Sequence, residues 1–339
     1  MQGSLQGSSA AALGHDEPRA TPRRRWLPAA AIVVLLAAAL ILPQLTANQF
    51  YIHLANLMLL NSIFAVSLGL IASVGQISLG HAAFVAAGGY ISAIAALSFK
   101  IPPVFGIVLA GLVTGLAAVA LGKILLRLRG VYFVLVTFLA GQVFTLIALN
   151  WESVTNGANG LLGIPAISIF GYPLATRLRF YYFALVVFIL VLTFVWALMR
   201  SQYGRAFRSI AENVRLAESS GIDVSHYQVV AFALGSGIAG ATGATMTHYI
   251  RFLSPDSFTF NDSIAYITML VVGGRHTMIG GVLGAAFLTP LPELLRGFVG
   301  AQHIIYGAIL LGVLLFIPNG LVSIGSSLWK KSSGTEEPK

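Results

Sequence analysis

Residues 200–223 read RSQYGRAFRSIAENVRLAESSGID and lie between two long apolar runs, 180–198 and 227–250. The stretch holds Arg200, Arg205, Arg208, Arg215, Glu212, Glu218 and Asp223, in a chain of 339 residues that is only 9% charged. Phe207, Ile210, Ala211, Val214 and Ala217 recur at helical spacing, so the segment reads as one helix with a narrow apolar stripe. Arg208, Glu212, Arg215 and Glu218 occupy the opposite side at spacings of three and four that suit ion pairs. Gly221 suits the left-handed cap that ends such a helix. A stripe of this width fits a groove in a partner protein or a lipid surface.

Outward from this segment the chain is apolar, 57% hydrophobic, where a soluble domain has about 25% charged residues. A bilayer core about 30 Å thick takes roughly 20 apolar residues per helical crossing. Apolar runs fall near 28–46, 51–72, 77–98, 103–125, 131–149, 180–198, 227–250, 260–274, 279–295 and 302–320. The expected fold is therefore all-α, a polytopic membrane protein of about ten transmembrane helices. The eighth and ninth runs are short and joined by VVGGRHTMIGG at 271–281, so a re-entrant or broken pair competes with two full spans.

Residues 1–27 are rich in Gly, Ser, Ala and Pro and end in Arg23, Arg24 and Arg25, a composition expected to form a disordered cytoplasmic tail. The apolar run that follows could open an export signal, but no small-residue cleavage site follows it and further spans do, which favours a retained first span. The organisation expected is a tail at 1–27, a membrane permease domain at 28–325 with a cytoplasmic loop at 200–225, and a second cytoplasmic tail at 326–339. With the amino terminus inside, fifteen Lys and Arg fall on the inner face and five on the outer, as the positive-inside rule predicts. The net charge of +9 thus reports topology rather than nucleic-acid binding. Residues 150–178, dense in Gly, Asn and Pro, read as a structured outer cap with Trp151 and Tyr172 at the membrane interface. The absence of cysteine excludes disulfides and thiolate metal sites.

Gly235 to Gly240 match G-x-G-x-x-G, but the dinucleotide fingerprint needs a preceding strand. Inside an apolar run, Gly237 with Ala241 and Gly240 with Ala244 read instead as a small-residue packing face. Gly122-Lys123 lacks the earlier glycine and the hydroxyl of a phosphate loop. His15, His53, His81, His226, His248, His276 and His303 show no metal-ligand spacing. His81 stands out, because GQISLGH at 75–81 gathers amide, hydroxyl and imidazole beside an apolar span. Glu152 and Asp262 read as lying near the outer ends of their spans, and Glu293 with Arg296 as a helical ion pair. The scarcity of ionisable groups at depth weighs against a self-sufficient secondary carrier or channel, and no constellation of nucleophile, base and metal supports a membrane enzyme.

Several segments, taken together and in order, resemble the longer, M-type permease subunit of the branched-chain amino acid type of ABC importer. They are GQISLGHAAFVAAGGY at 75–90, RGVYFVLVTFLAGQ at 129–142, TNGANGLLGIP at 155–165, GRAFRSIAENVRLAESSGID at 204–223 and SPDSFTFNDSIAYITMLVVGG at 254–274. The resemblance covers roughly residues 50–322 and implies the type II ABC importer fold in a bacterial inner membrane, with both termini cytoplasmic. It implies that 204–223 is a coupling loop seated on an ATPase subunit, with Gly204, Arg205, Phe207, Arg208, Ile210, Glu212, Asn213 and Gly221 carrying the contact. It also implies two cytoplasmic ATPase subunits holding ATP with magnesium, a second homologous permease and an extracytoplasmic solute-binding protein. Gln76, Ser78, His81, Tyr132, Phe133 and Thr137 are expected to line or flank the passage. No catalytic residue, metal or cofactor is expected in this chain itself.

The resemblance leaves the solute open among branched-chain and other amino acids, urea, short amides and aromatic acids. The few ionisable residues at depth favour a zwitterionic or neutral one. Two departures stand out: His276 where the family has Gly in a Gly-rich turn, and Gly281 where Pro is common.

Overall fold

A computed structural model describes residues 39–41, 43–44, 48–169, 171–274, 277–297, 300–317 and 320–323. The tails expected at 1–27 and 326–339, most of the run at 28–46, and Arg275 and His276 lie outside the described residues. Residues 1–45 and 46–339 are separate compact units. In the first, residues 39–41 and 43–44 are helical. Everything below concerns the second.

Its principal helices are α1 (Gln49–Ala72), α2 (His81–Ser98), α3 (Pro103–Leu125), α4 (Val131–Asn150), α5 (Arg177–Arg200), α6 (Gln202–Glu212), α7 (Val214–Ser219), α8 (Val224–Ile250), α9 (Phe260–Gly273), α10 (Met278–Leu288) and α11 (Gln302–Phe316). Short turns at Glu152–Thr155 and Leu291–Leu294 complete the helical part. Among the described residues, seven helical stretches are long and apolar enough to cross a membrane, and α9 and α11 are shorter apolar helices. Each of the nine apolar runs from 51 onward thus coincides with a helix, and the chain is an all-α polytopic protein.

The core is built around α8, the longest helix, which packs chiefly on α3, α2 and α1. Its small residues decide this. A β-carbon on Gly237 would stand 3.0 Å from the Gly111 carbonyl oxygen, and one on Gly111 would stand 3.1 Å from the Ala241 β-carbon. Gly88 of α2 lies backbone to backbone against Gly240. The glycine run at 235–240 is therefore a close-packing face. Burial is uneven: 67% of the apolar window of α1 is inside, against 22% for α3 and 17% for α4 and α5. The outer faces of α4 and α5 are thus surfaces for lipid or another subunit.

Opposite the α6–α7 end, β1 (Leu161–Leu162) pairs antiparallel with β4 (Phe252–Leu253), and β2 (Ser168–Ile169) pairs with β3 (Tyr172–Pro173). His248 stitches this cap to the core. Its Nδ1 donates to the Pro165 carbonyl at 2.8 Å, and in the neutral ring its Nε2 accepts the Ser92 hydroxyl at 2.8 Å. Trp151 and Tyr172 are exposed, as residues at a membrane interface would be.

Two helices start against the first half of α4. Gly80, at the amino end of α2, is pressed against the Thr137 carbonyl, and Phe260, which opens α9, meets the Phe138 ring edge-on with centroids 4.7 Å apart. Thr137 and Phe138 are the seventh and eighth of the twenty residues of α4. The chain reaches α2 through the non-helical stretch 73–80, and reaches α9 through β4 and a single 3-10 turn at Pro255–Ser257. α9 has only 14 residues, and the strand and 3-10 turn before it mix buried Leu253, Pro255 and Phe258 with exposed Phe252 and Asp256. The stretch Met278–Gly297 is long enough to cross by itself.

Candidate functional site

The segment between α5 and α8 is two helices, not the one that its spacing suggested. Asn213 sits at φ −158°, ψ 106°, and its Oδ1 accepts the Leu216 N–H at 3.1 Å, ending α6 and capping α7. Gly204 lies under the Met199 carbonyl, where a β-carbon has no room. Gly221 adopts φ +82°. Its N–H donates to Glu218 O at 3.0 Å and the Ile222 N–H to Ala217 O at 3.1 Å, closing α7 as a left-handed cap does.

The apolar stripe turns inward. Phe207 and Ile210 are fully buried and pack with Val66, Leu70, Val74, Val195 and Val224 of the chain's own spans. The Phe207 ring lies 6.4 Å from Tyr203 and 6.3 Å from Tyr227. Ala211, expected in the stripe, is exposed. Facing outward are Arg205, Arg208, Glu212, Asn213 and Arg215, with Leu216 beside them. Among the described residues none of these four charged groups pairs with another, and Glu218 instead meets Arg129, at 3.0 Å. The break at Asn213 puts Glu212 and Arg215 on different helices, which removes that pairing, while Arg208 and Glu212 stay on α6 and are both exposed. The pair expected between Glu293 and Arg296 is present at 3.6 Å.

Where α2 begins, polar groups from four elements converge. Leu79 N–H donates to Thr137 Oγ1 at 3.2 Å, and Ala82 N–H donates to Ser263 Oγ at 2.9 Å. Ser67 Oγ lies 2.8 Å from the Phe64 carbonyl, to which it can donate, and 2.9 Å from His81 Nε2. His81 Nδ1 is buried with no hydrogen-bond partner among the described residues, as are Ser78 Oγ and Gln76 Oε1. Of the six residues expected along the passage, Ser78, His81 and Thr137 gather here and Gln76 lies in the same loop, all buried. Phe133 packs into the core against Phe232, while Tyr132 is exposed on α4. Beside the cluster a cleft of about 190 Å³ runs between α2, α3 and α4, lined by Gly80, Phe84, Thr114, Thr137, Gly141 and Phe144 among others.

Asp262 is in the first turn of α9, at the end of its span opposite Gly273, and Phe260 beside it meets the Phe138 ring of α4. Ser67 and Ser263, which complete the polar cluster, carry no local signal in the sequence because their partners are 14 and 181 residues away. On the side opposite α6, a polar pocket of about 330 Å³ is lined by His53, Thr176, Arg177, His248, Tyr249 and Arg251 among others. His53 Nδ1 lies 2.6 Å from Tyr249 Oη there, and Arg177 donates to Gln49 O at 3.1 Å. No group of three His, Cys, Asp or Glu among the described residues could hold a metal ion.

Comparison with known proteins points one way. The family model described as branched-chain amino acid transport system / permease component matches residues 50–318. The chain is 27% identical over 327 residues to the high-affinity branched-chain amino acid transport system permease protein LivM of Salmonella typhimurium, covering 89% of this chain and 77% of the relative. LivM of Escherichia coli K12 is similar to the same extent. The autoinducer 2 import system permease protein LsrC of Salmonella choleraesuis is 32% identical over 136 residues, 38% of this chain and 39% of that one. No solved structure matches the chain.

Proposed function

Because the chain belongs to the family of branched-chain amino acid transport system permease components, we propose that it carries branched-chain amino acids or a related small solute, such as another amino acid, urea or an amide, across the bacterial inner membrane. It is a multi-pass, non-catalytic transport subunit, a permease of the ABC importer kind. In this reading the energy comes from two cytoplasmic ATPase subunits that hold ATP and magnesium. A second homologous permease completes the passage, and an extracytoplasmic binding protein delivers the solute. The α6–α7 side faces the cytoplasm, as do both termini.

One observation carries the coupling role. The α6–α7 pair presents charges outward while Phe207 and Ile210 anchor it in the chain's own spans. A helix lying on lipid would need its apolar face outward; this one has that face turned in, so its outer surface suits a polar cleft in a partner protein. Gly75, in the loop that leads to His81, has its β position 3.6 Å from the Ala211 backbone. A push on α6 is therefore received directly by the stretch 73–80 and, through it, by the start of α2. Arg205, Arg208 and Glu212 touch the ATPase, whereas Gly204, Phe207 and Ile210 hold the lever to the membrane part, and Asn213 and Gly221 set its bends. Gln76, Ser78, His81 and Thr137 flank the passage that the lever opens, Tyr132 meets the second permease, and Phe133 holds α4 to the core behind them.

The test is reconstitution. The chain with its co-encoded subunits in liposomes should take up radiolabelled L-leucine only with ATP and the binding protein. Uptake by the purified chain alone, driven by an ion gradient, would establish a secondary carrier instead.

A further inference from the structure

The polar pocket opposite α6 gathers the ends of three spans. Its lining includes His53 from the start of α1, Thr176 and Arg177 from the start of α5, and His248, Tyr249 and Arg251 from the end of α8. All three helices are long and apolar enough to cross a membrane, so a pocket at their common end lies where lipid headgroups lie. No Asp or Glu is among its lining residues.

Positive charge here exceeds what the local structure needs. Arg177 is the first residue of α5, with no acid in that first turn, and a cation at a helix amino end opposes the dipole. Its Nη1 donates to Gln49 O, and it makes no ion pair among the described residues. The Arg251 guanidinium has neither a hydrogen bond nor an ion pair there. Its charge suits the carboxyl end of α8, but its backbone is left-handed at φ +62°, a conformation that glycine adopts at least cost. The chain thus carries an arginine where the backbone favours glycine.

Beyond the pocket the same helix faces open a groove. From Phe180, α5 continues at helical spacing through Val187, Val191 and Phe194; from His248, α8 runs back in the same way through Thr245, Ala241 and Ile238. With residues of α3 these line an apolar groove of about 430 Å³. It exists because α5 packs chiefly on α1 rather than on α8. An electropositive pocket at headgroup level and an apolar groove leading from it toward the membrane interior match an amphipathic ligand with an anionic head.

We propose that the seam between α5 and α8 binds an anionic phospholipid, with its phosphate on Arg177 and Arg251 and one acyl chain in the groove. Guanidinium groups pair with phosphate through parallel N–H donors, and the amino end of α5 favours the same negative charge. The proposal is independent of which solute the chain carries.

The test is native mass spectrometry of the full-length chain, delipidated in detergent and titrated with phosphatidylglycerol, phosphatidylcholine or inorganic phosphate. Wild type should hold one phosphatidylglycerol at least about tenfold more tightly than phosphatidylcholine, the scale of one charge-assisted contact. Arg251→Gly, which suits the left-handed backbone, should keep or raise the melting temperature in lipid-free detergent and yet lose that preference. Arg177→Gln should lose it too, and Arg251→Lys should retain part. Val187→Trp fills the groove, leaves both arginines in place and should weaken phosphatidylglycerol binding about as much. Equal affinity for the two lipids, or a preference that survives Arg177→Gln with Arg251→Gly, overturns the proposal. Inorganic phosphate that displaces phosphatidylglycerol at equal concentration, or wild-type lipid binding by Val187→Trp, marks a free-anion site and overturns the lipid assignment. Binding of neither lipid overturns it as well and leaves the pocket to an acidic segment of a partner protein.

Discussion

Arg129 and Glu218 lie 89 residues apart in sequence and meet at 3.0 Å, tying α7 to the turn that starts α4. With Gly75 against Ala211, the α6–α7 pair thus touches both elements, α4 and the 73–80 stretch, that lead to the polar cluster at the start of α2. The pair is roughly half exposed, with side-chain accessibilities of 57% and 47%, so its worth is mechanical before it is energetic.

Reversing one charge of this link, Arg129→Glu, should leave folding nearly intact, because exposed pairs contribute at most about 1 kcal/mol. Uptake per ATP should nevertheless drop, and the exchanged pair Arg129→Glu with Glu218→Arg should restore it. A melting curve in detergent and a coupled uptake assay separate the two effects; an exchange that restores nothing shows that the link has no role in coupling.

Anchor and contact surface should come apart under mutation. Phe207→Ala removes a fully buried ring and should cost about 3–5 kcal/mol of stability. Arg208→Ala and Glu212→Ala, both exposed, should change stability by no more than about 0.5 kcal/mol yet weaken ATPase binding about tenfold or uncouple hydrolysis from uptake. Pull-down of the ATPase subunits, with thermal melting in parallel, checks this. Equal losses of stability in all three variants would remove the distinction.

Ser67 and His81 form a pair whose deletion is asymmetric. Ser67→Ala removes the hydroxyl that partners His81 Nε2 in a fully buried site, at a cost of about 1–3 kcal/mol. Adding His81→Phe removes the stranded group, so the double variant should lose less than the sum of the singles, with a coupling of about 0.5–3 kcal/mol. Additive losses in thermal melts would mean that the two side chains act independently.

Glycines should divide by what their β position meets. Gly88→Ala drives a methyl into the Gly240 backbone and should lower stability by about 1–3 kcal/mol. Gly307→Ala on α11 meets nothing within 4 Å and should be neutral or gain up to about 1 kcal/mol from helix propensity. Yield and melting temperature of the two purified variants give the comparison.

Much of the fold is legible in order of residues. Length and apolarity locate every apolar helix from 51 onward, because a span is a local property of about twenty consecutive side chains. Gly237 with Ala241 and Gly240 with Ala244 read as a packing face for the same reason: small residues four apart fall on one side of a helix. Gly221 was readable because a left-handed cap is decided by the residue that occupies it. Less of the candidate site could be read. Phe207 and Ile210 were visible as an apolar stripe, but whether a stripe faces the chain's own core or a partner depends on what lies opposite, here Val66, Leu70 and Val195. Asn213 reads as an acceptable helix residue until its side chain is seen to cap α7.

What the sequence determined by itself is the membrane class, the spacing of the spans, the charged loop at 200–223 and the small-residue seam of α8, all of which follow from patterns within a few turns of chain. Only the tertiary structure decided which segments meet. Ser67 with His81, Ala82 with Ser263 and Phe138 with Phe260 join residues 14, 181 and 122 positions apart, and these contacts bring the starts of α2 and α9 together beside the first half of α4. What a helix start meets is a relation between distant segments, so Ser263 could be known from its neighbours as a polar residue at a helix start, and as the partner of Ala82 only from the fold.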